Sequence, residues 1–550
     1  MIRQWFKSGN PWVWLTASAV SVSLVLVFGL LLLIAARGLG HFWPATVWEY
    51  DYLQPDNSKV RLIGEIQDDE VVTAERLREA GLSIEGDTVV ERYLLKTGNR
   101  DVTGNDFRWI IKRSIQQANT PKTLMTVERR EWGNLYGYLN AVQENQKTVM
   151  VGEGAWDSLQ KRLARANDLF AQIRHLEKSE IGAINYGLER LRLRDRGLEL
   201  AGDTDPAKHQ AIEQERATLK AEYAGLQQRL ADLYNAINRD QMMVTVSSGK
   251  TVMVPLAKVV HAYRPNAMSL VEKLGFYVAK AWEFVSDEPR EANTEGGIFP
   301  AIFGTVMMVI IMSIMVVPFG VVAAVYLREY ARQGALTRLI RIAVNNLAGV
   351  PSIVYGVFGL GFFVYFLGGN IDRLFFPEAL PAPTFGTPGL LWASLTLALL
   401  TVPVVIVATE EGLSRIPKSV REGSLALGAT KAETLWRTVL PMASPAIMTG
   451  LILAIARAAG EVAPLMLVGV VKLAPSLPLD GNFPFLHLDR KFMHMGFHIY
   501  DVGFQSPNVE AARPLVYATA LLLVLVIVAL NLAAIAIRNR LREKYRALEN

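Results

Sequence analysis

The sequence predicts an all-α polytopic membrane protein with six transmembrane helices. It also predicts an α+β domain outside the bilayer that contains an antiparallel helical hairpin. Three observations carry this. Hydrophobic residues make up 51% of the 550 and charged residues 20%, proportions that fit one chain if oil and charge are segregated along it. They are segregated, because apolar runs cluster at the N-terminus and from Phe299 onward with a long polar block between them. Inside that block, short β-branched runs flank a heptad pattern.

A bilayer core takes about 20 mostly apolar residues as helix. The first such run is Val13–Ala36, flanked by Arg3 and Lys7 on one side and Arg37 on the other. A cleaved signal peptide has an apolar core of only about 7–15 residues, so the run reads as an uncleaved anchor. Five more follow: Phe299–Leu327, Ile342–Leu367, Gly389–Thr409, Ala443–Val471 and Leu515–Ile537. Pro318, Pro351 and Pro403 inside or beside them are tolerated in membrane helices.

Six spans put both chain ends on one side. The loop Arg328–Arg341 carries Arg328, Arg332, Arg338 and Arg341 against Glu329, and the tail Arg538–Asn550 carries Arg538, Arg540, Arg542, Lys544 and Arg546. Gly368–Pro388 holds Arg373 as its one base. The positive-inside rule then places both termini in the cytoplasm of a bacterial inner-membrane protein. The expected divisions are a cytoplasmic N-terminus and first span over 1–37, a periplasmic domain over 38–297, a membrane core over 298–537 and a basic tail over 538–550. The bases sit at the ends of apolar runs rather than along one stripe, which excludes nucleic acid as a partner. The chain has no cysteine, which excludes disulfides and thiolate metal sites.

Within the outer block, Val60–Ile66, Val89–Leu95, Thr123–Glu128, Thr148–Val151, Met243–Val246 and Thr251–Leu256 read as short strands. Leu219, Tyr223, Leu226, Leu230, Leu233 and Ile237 form a heptad seam, and Leu159, Leu163, Ala166, Phe170 and Ile173 repeat the spacing. Residues 201–206, Ala-Gly-Asp-Thr-Asp-Pro, separate the two with a glycine stop and an Asp-Pro start. The reading is a helical hairpin over about 156–240 with arms of roughly 50–65 Å, either touching a partner or packed on itself. An anchor, a β domain and a coiled-coil hairpin also describe periplasmic adaptor proteins, but those lack five further spans.

Between the fourth and fifth spans runs an amphipathic segment of mixed charge, Glu410–Pro441, with Leu425, Leu427 and Leu435 standing among charges and Gly428 as a break. This segment resembles the EAA loop by which ABC importer permeases receive a separate ATPase. Glu422 stands for the motif's Glu, Gly428 for its Gly, and Leu440-Pro441 closes it in register, while Gly423 and Ser424 replace two alanines and Thr438 an isoleucine. The resemblance implies a type I importer core and an ATPase-coupling surface at Glu422, Gly423, Ala426, Gly428, Ala429, Leu440 and Pro441. Pro351–Gly359 and Leu453–Leu465 narrow the resemblance to phosphate ABC permeases, and Gly460-Glu-Val-Ala-Pro-Leu465 to the PstA rather than the PstC type. That family implies a heterodimer with a PstC-type permease, PstB-type ATPases, a periplasmic phosphate-binding protein and inorganic phosphate as cargo. It implies membrane lipid as surroundings and no cofactor. A permease for molybdate or sulfate, and a phosphate-sensing scaffold, stay open as alternatives.

Arg457 and Glu461 read as lying inside the fifth span, where a charge costs at least about 2.5–3.5 kcal/mol and is a functional candidate by default. Guanidinium offers paired donors to a tetrahedral oxyanion. Hydrogen phosphate carries a P–OH donor that sulfate lacks, so a carboxylate at Glu461 accepts from the first and repels the second. Other motifs carry no chemistry. Gly249-Lys-Thr251 lacks the glycine five residues earlier that a P-loop needs, since that position is Val244. His494 and His498 have no third ligand set beside them by spacing, and His487–Val502 reads as a short outer amphipathic segment. No nucleophile–base constellation marks the chain as an enzyme.

Overall fold

The structure, a computed structural model, describes residues 9–79, 89–290, 293–506 and 509–545. Arg3, Lys7 and Arg546, part of the topology argument above, lie outside the described residues. The chain forms two units. One comprises Met1–His41, Ile298–Asp480 and Pro484–Asn550, and the other Phe42–Gly297 with Gly481–Phe483.

In the first unit, six helices among the described residues are long and apolar enough to cross a membrane. They are Pro11–Gly40, Phe299–Tyr330, Ser352–Phe375, Leu390–Arg415, Lys431–Gly460 and Ala512–Glu543. Two of them depart from the runs expected from hydropathy. The third begins at Ser352 rather than Ile342, because Ala335–Leu347 forms a separate amphipathic helix. Pro351 divides the two: it has no N–H to give, and it drives the preceding residue out of the helical region. The fifth span runs from Lys431 to Gly460 rather than from Ala443 to Val471. Its early start comes from a capping box, in which Thr430 Oγ1 accepts from Glu433 N and the Glu433 carboxylate accepts from Thr430 N. A π turn over Leu435–Val439 carries the helix into Pro441. It stops at Gly460, four residues before Pro464.

The fourth span is the centre of this unit. Two-thirds of its apolar window is buried (67%), against 0% for the first span and 6% for the sixth. Those two helices leave most of their apolar surface uncovered by the rest of the chain. The core joins Met308, Met312 and Val316 of the second span to Leu397 and Val405 of the fourth and Ala454 and Ala458 of the fifth. Small residues let the backbones meet, as where a Cβ on Gly450 would stand 2.8 Å from that of Ala408.

Among its described residues the second unit holds eleven principal strands. They are β1 (Val47–Leu53), β2 (Lys59–Thr73), β3 (Val89–Lys96), β4 (Phe107–Ile111), β5 (Ile115–Asn119), β6 (Leu124–Arg129), β7 (Leu135–Glu144), β8 (Lys147–Val151), β9 (Asp240–Thr245), β10 (Thr251–Pro255) and β11 (Val259–Tyr263). They form antiparallel sheets of order β4-β3-β2-β1-β5 and β10-β9-β7-β6-β11, with β8 on the other side of β7. Between β8 and β9 the chain leaves as a helix from Ala155, passes a π turn at Leu176–Ile181 and continues to Ala201. It turns at Gly202, whose φ of 70° suits glycine, and returns as Pro206–Ile237 with the Asp205 side chain accepting from Ala207 N. Cross-arm pairs run His209–Asp195 at 2.7 Å, Glu215–Arg194 at 3.5 Å, Arg229–Glu180 at 3.9 Å and Tyr234–Glu177 at 2.7 Å. One number rises as the other falls, so the arms are antiparallel.

This unit also buries charge. Ligand atoms of Glu128, His261 and Glu283 lie within 4.8 Å of one another. The Lys280 ammonium bonds both carboxylates, and Arg290 lies 3.1 Å from Glu283. Cations of the chain already occupy the place a metal would take. These neighbours, His261 and Lys280, hold the Glu283 carboxyl far below the usual range against its burial. Burial pushes Glu65 up to about 7, against the opposing charge of Lys96 and hydrogen bonds from the hydroxyls of Tyr136 and Thr126, the latter at 3.5 Å.

Candidate functional site

Two groups of residues mark the membrane unit, and one helix joins them. The first is the segment between the fourth and fifth spans. Pro417 stops the fourth span's helix and opens a short one, Lys418–Ala426. Leu427 N then bonds Gly423 O, Gly428 N bonds Leu425 O, and Ala429 N reaches back to Ser424 O, which closes the helix end. Gly428 has φ 88° with open space where a Cβ would stand, so the backbone conformation alone selects glycine there. Ser424 and Thr434 hydroxyls, 2.9 Å apart, tie this helix to the start of the fifth span.

The segment has a packed base and a bare tip. Leu413, Ile416, Leu435, Val439 and Ala443 form a buried cluster beneath it. Arg421 reinforces that base, donating to Leu413 O (2.8 Å), Ile416 O (2.7 Å) and the Glu329 carboxylate (2.9 Å) at the end of the second span. Lys431 bonds Glu329 O and lies over the Tyr330 ring at 4.6 Å. Facing outward are Glu422, Gly423, Ala426 and Gly428, together with Leu425, Leu427 at 90% exposure and Trp436 at 71%. Ala429, Leu440 and Pro441 are half-buried and belong to the base. Leu435, one of three leucines among charges in the sequence, is buried, while Trp436 beside it was not singled out. A tryptophan in a helix ordinarily signals core, and only its neighbours show that this one projects.

The second group is the charged pair. Arg457 occupies the last turn of the fifth span's helix, where a cation suits the carbonyl end. Glu461 is the residue that ends that helix, with extended backbone (φ −77°, ψ 133°). The pair is therefore not an i, i+4 couple inside the span, as hydropathy suggested. It stands at the helix terminus, where the chain breaks between Gly460 and Pro464. Arg457 Nε lies 3.6 Å from Glu461 Oε1, beyond good hydrogen-bonding distance. Both side chains are partly accessible, at 33% and 21%. Neither makes another ion pair or side-chain hydrogen bond among the described residues.

The surroundings bring separate stretches of sequence together. A Cβ on Gly356, in the third span, would stand 2.7 Å from Pro464 Cα, so glycine lets that span touch the turn after Glu461. On the other side Gly496 leaves room for Val462, and Met495 N bonds Thr305 Oγ1 of the second span. His494 and His498 are buried here, on the inward side of the amphipathic segment: Phe492, Met493 and Met495 are buried with them against the second and sixth spans. His494 Nδ1 accepts from Gly496 N, a local cap, and no third ligand joins the two histidines among the described residues.

The arrangement joins an exposed, rigidly based protrusion to a sparsely bonded ion pair through a single helix. Residues 316–546 match the family described as binding-protein-dependent transport system inner membrane component. The chain is 35% identical over 276 residues to the phosphate transport system permease protein PstA of Mycobacterium leprae (strain TN), covering 49% of this chain and 81% of that one. It is 36% identical over 247 residues to the phosphate transport system permease protein PstA 1 of Mycobacterium tuberculosis (strain ATCC 25618 / H37Rv), covering 44% and 70%. It is 30% identical over 268 residues to the probable phosphate transport system permease protein PstA of Methanocaldococcus jannaschii, covering 48% and 82%.

Proposed function

The chain belongs to the binding-protein-dependent transport system inner membrane components, among the PstA-type permeases, and from that premise we propose that it forms half of the transmembrane pathway of an ATP-driven phosphate importer. A PstC-type permease supplies the other half, PstB-type ATPases engage the 410–441 segment, and a binding protein delivers phosphate from the outside. Both termini then face the cytoplasm, and residues 38–297 form the periplasmic domain.

The observation that carries this reading is the continuous helix Lys431–Gly460. Trp436 projects near one end and Arg457 stands near the other. The 21 positions between them measure about 30 Å at 1.5 Å per residue, close to the thickness of a bilayer core. A displacement imposed on the tip residues Leu425, Leu427 and Trp436 passes through the packed base into this helix. It then moves Arg457 and Glu461 relative to the third span at Gly356. Leu427 and Trp436 supply the apolar contact area that a groove on an ATPase would bury, and Glu422 a charge at its rim.

At the other end Arg457 offers guanidinium donors to the phosphate oxygens. The long contact to Glu461 costs little to open. Glu461 accepts the P–OH proton of hydrogen phosphate and repels a fully deprotonated sulfate. The experiment is phosphate uptake by inside-facing ATP-loaded vesicles carrying the reconstituted complex, with Glu461→Gln. Reduced discrimination against sulfate supports the assignment. Unchanged phosphate uptake together with unchanged sulfate exclusion removes Glu461 from the pathway.

A further inference from the structure

One helix of the second unit, Leu270–Ser286, is inside out. Its exposed side carries Leu270 (68% exposed), Val271 (78%), Leu274, Val278 (65%) and Trp282 (71%), and the small residues Gly275 and Ala279 fill the gaps between them. These positions recur at four-residue steps, so they form one stripe. Its inward side carries the charges. Lys280 bonds Glu128, and Glu283 pairs with Lys280, His261 (3.1 Å) and Arg290. A soluble domain places these two faces the other way round. The helix is firmly held all the same, by a Ser269–Glu272 capping box at its start and by buried Phe284 near its end.

We propose that this stripe lies in the interfacial layer of the lipid bilayer, as an amphipathic helix parallel to the membrane surface. Chain connectivity argues for lipid over a protein. Upstream, the first span's helix ends at Gly40. Phe42, two residues later, packs on Tyr277 and Phe284 of this helix with ring centroids 6.0 and 5.2 Å away, and Trp43 packs on Tyr277 at 6.2 Å. The helix is thus bound to residues that have only just left the bilayer. Downstream, Ser286 is followed within 13 residues by Phe299, where the second span begins. Both ties are too short to carry the helix far from the interface. Tryptophan with leucine and valine on an exposed helical face is the composition that interfacial helices use.

The absence of cysteine makes the test clean. Single cysteines are introduced as Leu274→Cys and Val278→Cys, with Val25→Cys on the first span as the lipid-exposed reference and Thr218→Cys on the helical arm as the aqueous one. Each is labelled with an environment-sensitive fluorophore in the full chain reconstituted into nanodiscs of phosphatidylethanolamine and phosphatidylglycerol. The expected result is blue-shifted emission at 274 and 278, quenched by lipids bearing a spin label near the headgroup and insensitive to aqueous iodide. Position 218 shows the reverse. Two outcomes overturn the proposal. One is aqueous emission with iodide quenching at 274 and 278. The other is apolar emission there that spin-labelled lipid leaves unquenched, which assigns the stripe to a second copy or a protein partner. Substitution at these exposed positions leaves the buried face untouched, so folding is verified by an unchanged melting profile.

Discussion

Arg421 and Arg457 sit near opposite ends of the same machinery, and their surroundings differ in kind. Arg421 is multiply bonded: two backbone carbonyls and the Glu329 carboxylate accept from its terminal nitrogens at 2.7–2.9 Å, and its buried Nε alone has no partner among the described residues. Arg457 has one partner, Glu461, at 3.6 Å. The second unit repeats the contrast with carboxylates, since Glu283 is surrounded by Lys280, Arg290 and His261 while Glu65 is buried beside neutral hydroxyls, those of Tyr136 and Thr126, with Lys96 more distant. A multiply bonded charge is an anchor, and its loss costs stability. An under-bonded charge either waits for a ligand or imposes a penalty, and location separates the two. Arg457 is partly accessible at a break between helices, and Glu65 is enclosed between sheets.

The contrast is tested most severely at Arg421. Arg421→Ala strands the half-buried Glu329 carboxylate and two carbonyls, at an expected cost of about 3 kcal/mol. Thermal unfolding in nanodiscs measures it, and the ATPase of the assembled complex becomes uncoupled from phosphate. A variant that melts with the parent would show that the base is not anchored there.

Glu65 comes next, with a sign that follows from its pKa. The folded protein holds a proton on Glu65 up to about 7, whereas the unfolded chain releases it near the ordinary glutamate value of 4.5. The folded state therefore binds more protons between these values. Its stability is full below 4.5 and declines as pH rises through 7, by about 3 kcal/mol in total. Glu283 has the opposite sign, because its pKa is lowered: its contribution is present above 4.5 and lost on acidification below that. Urea unfolding of the second unit from pH 4.5 to 8 separates the two. Glu65→Gln flattens the decline, and an unaltered slope would assign it to another group.

Arg457→Ala gives the complementary result to Arg421→Ala. Removing charge-assisted hydrogen bonds to the anion is expected to cost about 2 kcal/mol, or roughly 30-fold in uptake rate, with a melting temperature close to the parent's. Loss of stability equal to that of Arg421→Ala would erase the distinction between them. The smallest effect belongs to Gly428→Ala. Nothing lies within 4 Å of the added methyl, so the cost is the left-handed backbone alone, about 1 kcal/mol. Calorimetry resolves it, and phosphate selectivity stays unchanged.

Much of this was legible in the sequence, for reasons that set its limits. Six apolar runs announce six spans because insertion depends on composition over about 20 residues. Where the third and fifth begin was not legible, since Pro351 and the Thr430–Glu433 cap override hydropathy at the ends. The loop was visible from Glu422, Gly428 and Leu440-Pro441. Arg421, one residue away, carries no local signal, because its partner Glu329 is 92 positions distant. Leu427 and Leu435 look alike in sequence, yet one is 90% exposed and the other buried. The face of the Leu270–Ser286 helix shows the same limit. Its periodicity is plain, but the sequence cannot say that the charged side turns inward, because Glu128 and Phe42, which decide it, lie 152 and 235 positions from Lys280 and Tyr277.

By itself, then, the chain's order of residues determined how many times it crosses the bilayer, which segment joins the fourth and fifth spans, and which charges stand near the fifth span's end. Those are local properties, written in composition and spacing. Only the tertiary structure decided which leucines project, that Glu461 ends a helix rather than riding inside it, and that Arg421 is consumed while Arg457 is not. Each of these depends on what stands opposite, and opposite neighbours are brought together by folding across distances that no local pattern records.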